Sequence, residues 1–89
     1  NPLLADEQLR GGIVQGLGPA LFEECRYDEQ GQMLTGSMAD YLVPMFGEMP
    51  DIIIGHVETP VPDTALGAKG IGEAGTIGAG AAVGNAIND

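Results

Sequence analysis

The chain has 89 residues, which limits it to at most one domain. Its 13 acidic and three basic residues give a formal net charge of −10, which argues against nucleic acids and anionic membranes as partners because both attract basic surface. Fifteen glycines, two Phe, two Tyr and no Trp provide little material for a hydrophobic core. We therefore expect a marginally stable domain or a piece of a larger one.

The single cysteine, the single histidine and the two chain ends indicate the redox environment, the capacity to bind a metal and whether the chain is part of a larger protein. Cys25 is the only cysteine, so no internal disulfide forms, and a reducing cytoplasm is the predicted location. We expect Cys25 to be a small buried side chain. His56 is the only histidine, so no histidine pair exists to bind a metal and no metal-ligating residue is predicted. The sequence begins with Asn1 and ends inside a predicted helix, which favours a piece of a larger protein.

The first predicted element is a helix over residues 6–25, where apolar side chains recur at a spacing of four residues. These apolar positions are Leu9, Ile13, Leu17 and Leu21. Gly12 and Gly16 lie one turn apart in this helix and predict that something approaches its backbone closely. Pro19 lacks an N–H group, so a kink or break is expected near Gly18–Pro19.

The middle of the chain predicts a hairpin and a strand. Residues 28–32 form a polar turn with Gly31 at its tight position, and Tyr27 and residues 33–35 flank the turn. Residues 51–59, DIIIGHVET, are β-branched, apolar and bounded by prolines, which is typical of a strand. From Thr76 onward, small residues predict a final helix that packs closely against another element. The fold class predicted is therefore α+β, in the order helix, hairpin, strand, loop, helix.

Residues 67–75, GAKGIGEAG, form a glycine-rich loop with one lysine and one glutamate. Gly70, Gly72 and Gly75 match a dinucleotide-binding pattern, but the chain ends too soon after them for the second strand and the acidic residue of that fold. The Gly-Lys-Ser/Thr order of a phosphate-binding P-loop is also absent. Two interpretations of the loop stay open. Glu73 is a general base in a ligand-binding loop, or it only caps the last helix while Lys69 pairs with it at the surface.

Four segments together resemble one protein family. They are NPLLADEQLRGGIVQGLGPALFEE at 1–24, YDEQGQMLTGSMADYLVP at 27–44, ETPVPDTALGAKGIGEAGTIG at 58–78 and AVGNAIND at 82–89. In this order they are similar to the C-terminal part of the molybdopterin-binding large subunit of the xanthine dehydrogenase and aldehyde oxidase superfamily. The branch they resemble most is the large chain of carbon monoxide dehydrogenase.

The resemblance implies roles for individual residues. Glu73 corresponds to the family's active-site base beside molybdenum. Gln8, Lys69, Gly70 and Gly72 correspond to positions near the pterin cofactor. The cofactor implied is molybdopterin, as the cytosine dinucleotide in most bacterial members, and none is expected on the isolated chain.

The function implied is part of a molybdenum hydroxylase, which oxidatively hydroxylates carbon monoxide, an aldehyde or an N-heterocycle with water as the oxygen source. Residues 1–89 would be the C-terminal part of a molybdopterin-binding domain, inactive alone. Its partners would be the remainder of that subunit and the iron–sulfur and flavin subunits or domains, and the isolated chain is expected to self-associate. The alternative is a stand-alone, non-catalytic interaction module derived from the same family.

Overall fold

The computed structural model describes all residues from Asn1 to Asp89 and contains two α-helices separated by a long irregular segment. Helix α1 spans Pro2–Leu21 and helix α2 spans Ala74–Asn88. Two short 3₁₀ turns, Phe46–Glu48 and Ala65–Gly67, lie between the helices. Neither helix combines the length and the apolar character that spanning a membrane requires.

Helix α1 begins earlier than the sequence predicts because Asn1 caps it. The side-chain Oδ1 of Asn1 accepts a hydrogen bond of 3.1 Å from the backbone N–H of Leu3, and a proline in the first turn forfeits no helical bond. Pro19 lies inside α1, which continues to Leu21. The proline therefore stands near the end of a continuous helix and does not break it.

The predicted α+β fold class is wrong, because the chain is mostly helical and forms no strand. The predicted hairpin is reduced to one antiparallel bridge between Tyr27 and Met33. Its turn is confirmed, since Gly31 has a φ of 80° and Asp28 Oδ1 accepts the N–H groups of Gln30 and Gln32 at 2.9 and 2.8 Å. The turn thus forms from its own local hydrogen bonds, without a strand ladder next to it.

The predicted strand at residues 51–59 is also wrong, because no neighbouring strand pairs with this segment. Side chains of α1 hold it instead. Arg10 Nε donates to the carbonyl of Ile52 at 3.1 Å, and His56 Nε2 lies 2.7 Å from Asp6 Oδ1. The segment therefore lies beside α1, and polar contacts hold it there. Its backbone groups do not pair with a neighbouring strand.

Helices α1 and α2 pack through small residues. A Cβ atom placed on Gly16 would lie 2.7 Å from the carbonyl oxygen of Thr76 and 2.9 Å from Ala79 Cβ. One placed on Gly12 would lie 3.2 Å from the Cα of Gly75. Any side chain at either glycine would separate the helices, so the predicted close approach to the backbone of α1 is confirmed, and the approaching element is α2.

No apolar side chain is buried in this structure. The four buried residues are Gly12, Gly16, Gly18 and Thr35, and the single cysteine is exposed, contrary to the sequence prediction. The contact between α1 and α2 therefore fixes the relative position of the two helices. The glycine-rich loop leads directly into α2.

Candidate functional site

The start of the glycine-rich loop has a defined backbone conformation. Leu66 and Gly67 have φ angles of 60° and 68°, a region that favours glycine and is uncommon for leucine. The carbonyl of Gly67 accepts the N–H of Val61 at 3.2 Å, and the Thr64 hydroxyl lies 3.0 Å from the carbonyl oxygen of Ala68. These bonds tie the loop back onto the segment that precedes it.

The structure brings two of the predicted cofactor-binding residues together. Gln8 lies on α1, and its Nε2 donates a hydrogen bond of 2.7 Å to the carbonyl oxygen of Gly72. Gly70 and Gly72 face open space, since a Cβ atom on either would meet nothing within 4 Å. The loop therefore leaves its backbone accessible on the side away from α1.

Glu73 directly precedes α2 and is exposed. It occupies the N-cap position, but its side chain makes no capping hydrogen bond. The two ion pairs of the structure join Arg10 to Glu7 and His56 to Asp6, so Lys69 does not pair with Glu73. Neither contact that the capping interpretation requires is present.

Lys69 lies apart from the carboxylate. It lines a shallow groove on the surface with Glu58, Pro60, Leu66 and Gly67. Its ammonium group is exposed and forms no ion pair. Of the predicted site residues, Gln8, Gly72 and Glu73 thus meet at the start of α2, while Lys69 occupies the opposite end of the loop.

Sequence reasoning missed the contact between Thr76 and Gly12. The Thr76 hydroxyl donates a hydrogen bond of 3.0 Å to the carbonyl oxygen of Gly12, across a separation of 64 residues. A glycine at position 12 and a small residue in the first turn of α2 were the only signals, and neither indicates its partner. Such a contact follows from the packing of two helices and not from local pattern.

The first half of the chain matches a described family. Residues 1–50, which contain α1 and Gln8, match the family of the molybdopterin cofactor-binding domain. The chain belongs to this family.

Relatives extend the match over the whole chain, including the glycine-rich loop of this molybdopterin cofactor-binding domain. The large subunit of nicotine 6-hydroxylase from Paenarthrobacter nicotinovorans is 49% identical over 89 residues. The large chain of carbon monoxide dehydrogenase from Afipia carboxidovorans is 37% identical over 89 residues. Each alignment covers 100% of this chain and 11% of the relative.

A solved structure shows the same arrangement. Quinoline 2-oxidoreductase from Pseudomonas putida 86 superimposes with a TM-score of 0.91 at 48% identity, over 100% of this chain and 11% of that one. The resemblance to molybdopterin-binding large subunits is thereby confirmed. The roles of Glu73, Gln8, Lys69, Gly70 and Gly72 stay predictions.

Proposed function

We propose that this chain supplies the base-bearing loop, residues 67–75, and one wall of the cofactor site of a molybdenum hydroxylase. The observation that carries the proposal is the hydrogen bond of 2.7 Å from Gln8 to Gly72. It places a polar side chain of α1 on the backbone directly before Glu73, whose exposed carboxylate has no capping bond and no ion-pair partner. A carboxylate so placed is available to accept a proton.

The residues present fit one side of molybdopterin. Gly70 and Gly72 expose their backbone without obstruction. The N-terminus of α2 presents the positive end of the helix dipole to an anion, and Lys69 adds a positive charge. No group of three or more His, Cys, Asp or Glu side chains is arranged to hold a metal, and no residue of this chain is proposed as a metal ligand.

When bound, the cofactor would supply the acceptor for the electrons removed from the substrate. Glu73 takes up a proton at its carboxylate from the water that provides the added oxygen. Gln8 holds the carbonyl of Gly72 and so limits where Glu73 lies. Lys69, Gly70 and Gly72 bind the cofactor at the edge of the loop.

The proposed setting extends the match with molybdopterin-binding large subunits, of which this chain covers 11%. Residues 1–89 would be the C-terminal part of a molybdopterin-binding domain, and the remainder of the subunit would cover the apolar side chains that are exposed in this chain. The iron–sulfur and flavin subunits would carry the electrons away, the cofactor would be the cytosine dinucleotide, and the complex would be cytoplasmic. Relatives named for nicotine and quinoline, at 49% and 48% identity, favour an N-heterocyclic substrate.

The replacement Glu73→Gln in the complete, cofactor-loaded enzyme tests this function. It keeps the size of the side chain and removes the base, so turnover per molybdenum atom should fall at least about a hundredfold. Molybdenum content should not change, because the bond from Gln8 to Gly72 stays in place. Glu29→Gln, at an exposed glutamate in the polar turn, is the matched control and should retain full turnover.

The capping interpretation predicts the opposite result for Glu73→Gln. Turnover per molybdenum atom would be preserved, and stability would fall by about 0.5–2 kcal/mol. Near-normal turnover at full cofactor loading would remove Glu73 from the mechanism.

A further inference from the structure

The two carbonyl groups that flank the side chain of Glu73 are both hydrogen bonded. The carbonyl of Gly72 accepts from Gln8 Nε2 at 2.7 Å. The carbonyl of Glu73 itself accepts from the backbone N–H of Thr76 at 3.0 Å. The backbone on either side of the carboxylate is therefore fixed while the carboxylate remains without a partner.

Thr76 also connects this backbone to α1. Its hydroxyl is partly buried and donates to the carbonyl oxygen of Gly12 at 3.0 Å. A carbonyl oxygen has two lone pairs, so Gly12 accepts this bond in addition to its helical one. Because residues 8 and 12 lie one turn apart on the same face of a helix, α1 holds the Glu73 backbone from two successive turns.

The bond from Thr76 depends on how closely the helices approach. A Cβ atom on Gly12 would lie 3.3 Å from Thr76 Oγ1 and 3.2 Å from its backbone nitrogen. One on Gly75 would collide with the carbonyl oxygen of Leu9. The bare backbones at positions 12 and 75 thus bring the hydroxyl within reach of α1, which explains why glycines stand there.

We infer that Thr76 is a positioning residue for Glu73. Through its backbone it holds the carbonyl of Glu73, and through its hydroxyl it anchors that turn of α2 to Gly12. Removal of the hydroxyl frees the start of α2 to shift along α1, and the carboxylate shifts with it. This inference rests on the proposed function of Glu73 as the base.

The test uses the complete enzyme with the replacements Thr76→Val and Thr76→Ser. Valine keeps the shape of threonine and removes the hydroxyl, whereas serine keeps the hydroxyl. A misplaced base slows the chemical step without weakening substrate binding, so Thr76→Val should lower kcat about ten- to a hundredfold with KM unchanged. Thr76→Ser should recover most of the lost kcat.

A double-mutant cycle with Glu73→Gln shows whether the effect passes through Glu73. If Thr76 acts by positioning the base, Thr76→Val should lower kcat no further once Glu73 is replaced. If the two replacements act independently, their effects should multiply to within about twofold, and the inference is overturned. Turnover is expressed per molybdenum atom, so differences in cofactor loading between the variants do not affect the comparison.

The outcomes separate this inference from the proposed function. Loss of turnover in Glu73→Gln with normal turnover in Thr76→Val overturns the positioning role alone. Normal turnover in Glu73→Gln overturns the proposed function and the inference with it. If Thr76→Val does not load cofactor, Thr76→Ala takes its place in the cycle, and failure of both to load assigns Thr76 to folding and overturns the inference.

Discussion

Glu23 and Tyr41 form a contact at the C-terminal end of α1. The carboxylate of Glu23 lies against Gly18, and a side chain at position 18 would overlap with it. From there Glu23 Oε1 accepts a hydrogen bond of 2.8 Å from the Tyr41 hydroxyl. The bond ties residues 37–41 to the end of the helix, because the N–H of Tyr41 also donates to the carbonyl of Ser37 at 2.8 Å.

This contact predicts a pH dependence. The hydrogen bond to Glu23, with smaller effects of desolvation and of the Glu23 charge, raises the pKa of Tyr41 above its ordinary value of 10.0. The folded state therefore favours the neutral phenol. The stability that the bond contributes should be fully present below the pKa of the unfolded chain and should be lost as the pH rises through the higher folded pKa.

Spectrophotometric titration of the 89-residue chain in a Tyr27→Phe background, where Tyr41 is the only tyrosine, measures the shift. Glu23→Ala removes the acceptor and the charge, so it should lower the pKa of Tyr41. Glu24→Ala removes a neighbouring charge that does not bond to Tyr41 and is the control. Equal pKa values of Tyr41 in the two variants would contradict the assignment.

At the candidate site, residue types could be predicted from sequence but their contacts could not. Glu73 and Gln8 were selected because the segments around them resemble a family. The bonds from Gln8 to Gly72 and from Thr76 to Gly12 each join residues 64 positions apart. No local pattern encodes such a separation, so only the packing of α2 on α1 reveals which residues hold the carboxylate.

At the scale of elements, the α1–α2 contact predicts opposite effects for two glycines. Gly16→Ala places a methyl group 2.7 Å from the Thr76 carbonyl oxygen, so the helices must separate, at a cost of about 1–3 kcal/mol. Gly78 lies in α2 with nothing within 4 Å of its Cβ position. Gly78→Ala should therefore stabilise the chain by about 0.5–1 kcal/mol, because alanine favours the helix.

Urea unfolding of both variants, followed by far-ultraviolet circular dichroism, measures the two changes. The pair is matched in chemistry, since each adds one methyl group to a helical glycine. Similar free energies of unfolding for Gly16→Ala and Gly78→Ala would mean that the close approach of the helices does not exist in solution.

The helices and the turn could be predicted because their signals are local. Apolar spacing defined most of α1, and Asp28 and Gly31 defined the polar turn. The strand at 51–59 was wrong because β-branched residues fit a pleated surface only where a neighbouring strand supplies one. That neighbour does not exist within these 89 residues, so the segment instead lies along α1 through Arg10 and His56.

At the scale of the whole molecule, the chain is far less compact than a typical folded domain of its size. Its accessible surface is 7043 Å², whereas a folded monomer of this mass exposes about 4,900 Å². Its radius of gyration is 17.0 Å, against about 12 Å for a compact domain of the same length. Burial of apolar surface is the main favourable term in folding, and this chain achieves little of it alone.

The open shape predicts how the isolated chain behaves. Ile53 and Val57 on the segment beside α1 are 93% and 95% exposed, and Phe46 is 100% exposed. Association would cover such surface, so the thermal transition of the purified chain should be broad and should shift to higher temperature as the concentration rises. Analytical ultracentrifugation should show the association over the same range of concentrations.

A pair of variants identifies the surface that drives this association. Ile53→Thr combined with Val57→Thr replaces exposed apolar surface with hydroxyl-bearing side chains and should move association to higher concentration. Thr59→Ser changes the same segment without altering its long apolar side chains and should leave association unchanged. A monomer with a sharp, concentration-independent transition would show that the 89 residues are stable without any covering partner. The exposed apolar side chains would then not need to be buried for the chain to fold.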